Sequence, residues 1–299
     1  MLTPQGNDMQ TRLPQIGLAE VSQAALLAVY RMKIGFGTVL WGRRIDDLDY
    51  TLRVINACGY RGVEFAQHHG QIFVRREDGK GVREIRGVGE LLERLKEHGD
   101  LELTGLVGGT LQERMNFLGN HKKPYLYLDR LPSDADAEAV LKAGYTLALH
   151  PHWLMPLRRQ KQALKWIEKF KGTPYEKQVL LLLDTGHAVI SEEDPVQIAR
   201  TQCGKLAGVH LKSWRPDYGR WSHRYAHGFC PPGSGIVPVE EVMQQLSDQK
   251  FEGWVILEQD HYHTRREETA LQCARWIQDH GVPWGISISP NVEKVKKLM

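Results

Sequence analysis

Eight short apolar runs recur between residues 33 and 258, and this rhythm restricts the fold more than any other feature of the chain. They are Lys33–Thr38, Gly62–Ala66, Leu101–Leu106, Tyr125–Leu128, Tyr145–His150, Val179–Asp184, Ala207–Leu211 and Trp254–Glu258. VLLLLD and WVILE are apolar almost from end to end, the pattern of strands covered on both faces by helices. Amphipathic stretches separate the runs: Asp46–Ala57, Val88–His98, Asp134–Lys142, Leu157–Phe170, Asp194–Gln202, Val239–Gln249 and Arg266–Asp279. Gly59, Gly144 and Gly253 punctuate helix-to-strand turns, where a left-handed cap favours glycine. The pattern over Leu111–Gly119 is weak and predicts a short or irregular helix.

Strand alternating with helix eight times predicts an α/β protein, a (β/α)8 TIM barrel, and single barrels commonly run to about 250 residues. The barrel is expected over residues 32–285, after an N-terminal extension (1–31) and before a basic, exposed C-terminal tail (286–299). The apolar stretch Leu18–Tyr30 could cap the barrel bottom or join subunits, which leaves a homo-oligomer open. A doubly wound open sheet is the alternative. It calls for G-x-G-x-x-G after an early strand, and Gly35-Phe36-Gly37 lacks the third glycine.

Composition removes several function classes. The 299 residues carry a net charge of +3 with basic and acidic residues interspersed, a poor footprint for nucleic acid. No apolar run approaches the roughly 20 residues that span a bilayer. The first residues lack the basic and apolar regions of a secretory signal. Cys58, Cys203, Cys230 and Cys273 lie far apart, and reduced thiols fit a cytoplasmic protein.

Catalytic groups of such barrels stand at the C-terminal ends of strands. The runs end in Val63-Glu64-Phe65, Leu149-His150-Pro151-His152, Leu183-Asp184-Thr185-Gly186-His187, Val209-His210-Leu211-Lys212 and Leu257-Glu258-Gln259-Asp260. A carboxylate after four leucines, such as Asp184, is severely desolvated unless paired or metal-bound. Imidazole with carboxylate suits one divalent ion (Mn, Co, Fe, Zn or Mg). Taken singly, each residue has a plainer role: Asp184 as a helix cap, Glu258 as a salt-bridge partner, a lone histidine as a hydrogen-bonded structural residue. Glu64 reads as a substrate group or as an interior acid paired with a lysine, and Lys212 as a rim partner or a solvated residue. Trp41 is a candidate pocket wall. The long segment 213–235 reads as a lid, with Trp214, Arg215, Trp221, His223, Arg224, His227 and Phe229.

The segments LLLDTGHA (181–188), GVHLKS (208–213), GSGIVPVEEV (233–242) and WVILEQD (254–260) carry a likeness over roughly residues 32–280. The chain resembles the sugar-phosphate isomerase/epimerase superfamily of xylose isomerase-like TIM barrels, and in motif most nearly its inosose dehydratase-like branch. That resemblance implies a metal-dependent isomerase, epimerase or dehydratase (lyase) acting on a small polyhydroxylated substrate: a sugar, keto-sugar or cyclitol. It also implies a metal held by Asp184, His210, Glu258 and one residue of the fifth strand. His150 stands at that last place, where the epimerases carry a glutamate, so a two-glutamate proton shuttle is incomplete. The roles implied are Glu258 as catalytic base, and His152 and His187 as catalytic residues beside the substrate. From their own positions Glu64, Trp41, Lys212 and His227 are expected as substrate-binding groups. Two alternatives are a metal-dependent phosphodiester hydrolase of the endonuclease-IV type and a non-catalytic sugar-binding barrel.

Overall fold

The apolar runs form β1 (Lys33–Gly37), β2 (Gly62–Phe65), β3 (Glu102–Leu106), β4 (Tyr125–Leu128), β5 (Thr146–Leu149), β6 (Val179–Asp184), β7 (Leu206–Leu211) and β8 (Trp254–Leu257). In the computed structural model, which describes residues 32–218, 228–261 and 264–299, these strands pair in parallel and in chain order. β8 returns to β1, so the sheet is a closed barrel and the open-sheet alternative is excluded. The N-terminal extension, with Leu18–Tyr30, and the loop residues Trp221, His223, Arg224 and His227 lie outside the described residues.

The helices are α1 (Leu48–Ala57), α2 (Val88–Glu97), α3 (Leu111–Leu118), α4 (Asp134–Lys142), α5 (Gln160–Ile167), α6 (Thr185–Ile190), α7 (Pro195–Gln202), α8 (Val239–Asp248), α9 (Arg266–His280) and α10 (Val292–Leu298). α1 shows why they form. Leu48, Leu52 and Ile55 recur at helical spacing and are fully buried, and the Asp47 side chain accepts the Tyr50 N–H at its first turn. The weakly patterned third helix is regular. Thr110 and Glu113 form a reciprocal capping box at its start, a local signal that apolar periodicity does not register.

Two further segments depart from expectation. Phe73–Arg75 and Val82–Glu84 pair as a small antiparallel hairpin between β2 and α2. The expected exposed tail ends in α10, whose Val295 is fully buried. Tyr50 donates its hydroxyl hydrogen to Leu298 O (2.9 Å) and Asn291 N–H reaches Ala57 O (2.7 Å), so this helix docks on α1. No helix among the described residues is long and apolar enough to cross a membrane.

The large apolar core lies between sheet and helices, whereas the barrel interior holds a small cluster of Tyr125, Tyr127, Ala148 and Leu182. Side chains alternate across each strand, so every second residue faces this interior. Register then sets the height of each group: Asp184 pairs with His210, and His210 with Ile256. Lys212 and Glu258, each two residues further on, stand one step nearer the C-terminal mouth. Gly105 keeps the interior open beside them. A Cβ there would come within 2.5 Å of the Tyr125 ring and 3.0 Å of Glu64 Oε2.

The hairpin is tied to α2 by Arg83, which donates to both oxygens of Glu90 at 3.1 and 2.7 Å. Glu90 also accepts the Arg86 N–H at 2.6 Å. Arg83 above all holds the Glu90 carboxyl below the usual carboxylate range. A depressed folded-state pKa adds stability above the unfolded-state pKa, and that contribution is lost as the pH falls through the folded value. Glu90→Gln should therefore lower unfolding stability by up to about 1 kcal/mol at pH 7. Denaturant titrations should find this difference shrinking as the pH is lowered through the carboxylate range.

Candidate active site

Asp184 ends β6 with no exposed surface and uses its two oxygens differently. Oδ1 accepts the His187 N–H at 2.8 Å, which caps α6. Oδ2 faces the barrel mouth, where four cationic or imidazole nitrogens surround it: Lys212 Nζ at 2.9 Å, His150 Nε2 at 3.4 Å, His210 Nδ1 at 3.6 Å and His187 Nε2 at 3.7 Å. Glu258, just beyond β8, reaches the same group from the other side. Its Oε2 lies 3.2 Å from His210 Nδ1 and 2.5 Å from Lys212 Nζ.

The expected site residues largely converge. Glu64 is 1% exposed, with Oε1 2.8 Å from His210 Nε2 and Oε2 accepting the Tyr125 hydroxyl at 2.7 Å. Its partners are thus a histidine and a tyrosine, and the expected pairing with a lysine is replaced by them. Lys212 is fully buried, so its reading as a solvated residue is corrected. Lys212 follows directly on β7, two residues after His210 and on the same side, and the acids around Nζ compensate the buried charge. The His187 and His152 rings lie 3.8 Å apart between centroids with their planes tilted by 46°, and Phe229 meets His187 edge-on. Trp41 is buried after β1 against Phe36. Ser213–Trp214 pairs with Phe229–Cys230 across the base of the long loop.

Three residues at the site received no role in the sequence reading. Tyr125 holds Glu64, and Tyr127 presents its ring edge-on to both His150 and His210. Asp260 receives the Lys212 ammonium at 2.6 Å. The period of two in Glu258-Gln259-Asp260 was the available signal for Asp260, since it puts both acids on one side.

Burial and charge pull against each other here. Burial raises the Asp184 carboxyl, but His187 and Lys212 outweigh it and hold its pKa well below the ordinary value. Burial likewise raises Glu258, while His210 and Lys212 bring it down to about 2. Burial disfavours charge on Lys212, yet Asp184, Asp260 and Glu258 keep its pKa well above that of a free lysine. Burial and the neighbouring His150 lower His152 to about 3, so it is a neutral imidazole. Its Nδ1 accepts the Leu154 N–H at 3.2 Å, which puts the ring proton on Nε2.

A divalent ion fits the donors present. One donor atom each from His150, Asp184 and His210 lies within 4.8 Å of the other two. Tetrahedral donors at about 2.0–2.1 Å from a zinc ion stand roughly 3.4 Å apart. The separations of 3.4 and 3.6 Å from Asp184 Oδ2, and of 3.2 Å from His210 Nδ1 to Glu258 Oε2, match that spacing. Both His210 ring nitrogens are buried without an aligned hydrogen bond among the described residues, despite the short ionic approaches. Glu64, His210 and Glu258 form a second such group, so His210 is common to both.

Tyr125→Phe should destabilise the fold by about 1–3 kcal/mol, because it leaves a buried carboxylate oxygen without its donor. Chemical denaturation of the variant would show no loss if the Glu64 contact carried nothing.

Residues 133–280 match the profile of the xylose isomerase-like TIM barrel family. An inosose dehydratase of Clostridium botulinum is 30% identical over 129 residues, covering 40% of this chain and 43% of that protein. Inosose dehydratase 1 of Bacillus cereus is 32% identical over 124 residues, covering 38% and 42%. The match thus spans less than half the length of these curated relatives. Among solved structures, an L-ribulose 3-epimerase superposes with a TM-score of 0.58 at 15% identity, covering 89% of this chain and 96% of the other. The IOLI protein, solved with a zinc atom, gives 0.53 at 14% identity, covering 85% and 99%. The likeness read from the strand-end motifs holds for residues 133–280, which match that family's profile, and the eight strands close as a TIM barrel.

Proposed function

We propose that the barrel is a metal-dependent enzyme for a sugar, keto-sugar or cyclitol, and that its reaction is the dehydration of a keto-cyclitol or related ketose. The observation that carries this reading is that His150, Asp184 and His210 bring one donor atom each within 4.8 Å of one another at the C-terminal mouth, with Glu258 Oε2 3.2 Å from His210 Nδ1. Such a donor set suits zinc, manganese, iron or cobalt. When bound, the ion supplies Lewis-acid polarisation of a substrate carbonyl and of the hydroxyl beside it. The inosose dehydratases matched over less than half their length support the choice of substrate class.

Glu258 is the base. Held ionised by the positive charge around it, which in the metal-free protein comes from His210 and Lys212, it accepts a proton from the carbon next to the carbonyl at neutral pH. A carboxylate with so low a pKa is a weak base, so the reaction relies on a substrate carbon acidified by its carbonyl. Epimerisation needs a second proton-transfer group on the opposite face of that carbon. The resemblance implies that His150 stands where the epimerases carry a glutamate, and elimination avoids the need. The bond from carbon to hydrogen breaks, a double bond forms, and the hydroxyl on the next carbon leaves with the proton as water. His152 offers Nε2–H as a neutral donor to a substrate oxygen, and His187 lies against it. Glu64, Trp41 and Lys212 shape the floor and wall of the pocket, and the buried thiols of all four cysteines accord with a cytoplasmic setting.

Incubation of the zinc- or manganese-loaded protein with inososes and keto-sugars should yield a product lighter by one water. Chelation should abolish turnover and added metal restore it. Glu258→Gln should lower kcat by about 10²–10⁴-fold. Unchanged turnover in that variant, or a product of the same mass as the substrate, would sink the dehydratase reading.

A further inference from the structure

Lys212 is the fully buried lysine of the site, and its ammonium sits on the two oxygens that the donor geometry offers to a metal ion. Nζ lies 2.9 Å from Asp184 Oδ2 and 2.5 Å from Glu258 Oε2. The third acid, Asp260, is 2.6 Å from Nζ, is 19% exposed and stands outermost of the three. The backbone of Lys212 is fixed. The Thr185 hydroxyl donates to Lys212 O at 2.7 Å and its oxygen accepts Lys212 N–H at 3.1 Å. Phe229 covers the ammonium at 4.5 Å. Gly186 lies against both, since a Cβ there would come within 2.7 Å of the Phe229 ring and 3.0 Å of Lys212 Cγ. The side chain thus runs in a narrow slot, with inner acceptors at Asp184 and Glu258 and an outer one at Asp260.

We propose that Lys212 is a built-in cation that competes with the divalent ion for Asp184 and Glu258, and that Asp260 receives it when the ion binds. This rests on the metal-dependent reading above. Two positive charges cannot share two desolvated carboxylates at these distances without strong repulsion. Ion entry therefore draws the ammonium off Asp184 and Glu258 and leaves it on Asp260, which it already touches at 2.6 Å. Lys212 also neutralises carboxylates that would otherwise be buried facing one another, so it supports the fold before the ion arrives.

The test measures Zn²⁺ affinity of the full-length, metal-depleted protein by competition with a chromophoric chelator. Lys212→Met should bind Zn²⁺ at least about tenfold more tightly than the wild type. Its metal-depleted form should melt at a lower temperature and gain more from added Zn²⁺. Lys212→Gln should shift affinity in the same direction, and it stands in if the methionine variant does not fold. Asp260→Asn should bind more weakly, and that loss should vanish when combined with Lys212→Met. Equal or weaker binding by the Lys212 variants, with the wild type still binding Zn²⁺, overturns the competition and leaves the metal reading intact. A loss that persists in the double variant overturns the role of Asp260 as receiver. Zn²⁺ binding by the variants but not by the wild type supports the competition while refuting metal dependence. No binding by any form overturns both.

Discussion

A carboxylate with no exposed surface stays ionised only where positive charge and hydrogen bonds replace the water it has lost. Asp184 sets this condition for the protein. It ends a run of four leucines, so the chain places it at the floor of the mouth and must surround it. The imidazoles of His150, His187 and His210 and the Lys212 ammonium meet that demand, and Glu258 and Glu64 in turn balance the positive charge. The result is a mutually dependent set in which removal of one member leaves another charge buried and unpaired. Breaking such a pair costs more than the pair adds to stability.

Barrel closure makes this arrangement possible. The residues involved are spread from Glu64 to Asp260, and local structure could not gather them. Parallel strands with alternating side chains can, because register fixes which residues share a level. Asp184 opposite His210 is one level, and Lys212 with Glu258 is the next. Small residues at Gly105 and Gly208 and the two tyrosines of β4 then decide how much room remains below the charged layer.

Much of this was legible in the residues. All eight strands were visible as apolar runs, because burial on both faces leaves a signal that needs no partner to interpret. Asp184, His210 and Glu258 were visible as polar groups closing such runs. Lys212 was ambiguous, because a lysine after a strand is usually solvated; only the alternation that pairs it with His210 argued for an inward direction. The same alternation links Asp260 to Glu258. Tyr125 and Tyr127 read as ordinary strand aromatics, and nothing in YLYL says that one hydroxyl meets a carboxylate more than sixty residues earlier. The hairpin at 73–84 was masked by its charge: FVRREDGKGVRE holds few apolar residues, so its pairing depends on Arg83 and on contacts that periodicity does not encode. α10 was hidden likewise, since one buried valine and a tyrosine on a distant helix dock it.

The division of labour between the oxygens of Asp184 has a further consequence. One oxygen starts α6 by accepting the His187 amide, and the other faces the barrel mouth. A single side chain thereby couples the beginning of a helix to the charged cluster above it. Any replacement that alters the donor also unsettles the turn carrying His187, so position 184 cannot drift through intermediate residues. Diversification of this barrel toward new substrates is channelled instead to side chains without such a double duty, above all those of the loops around the rim.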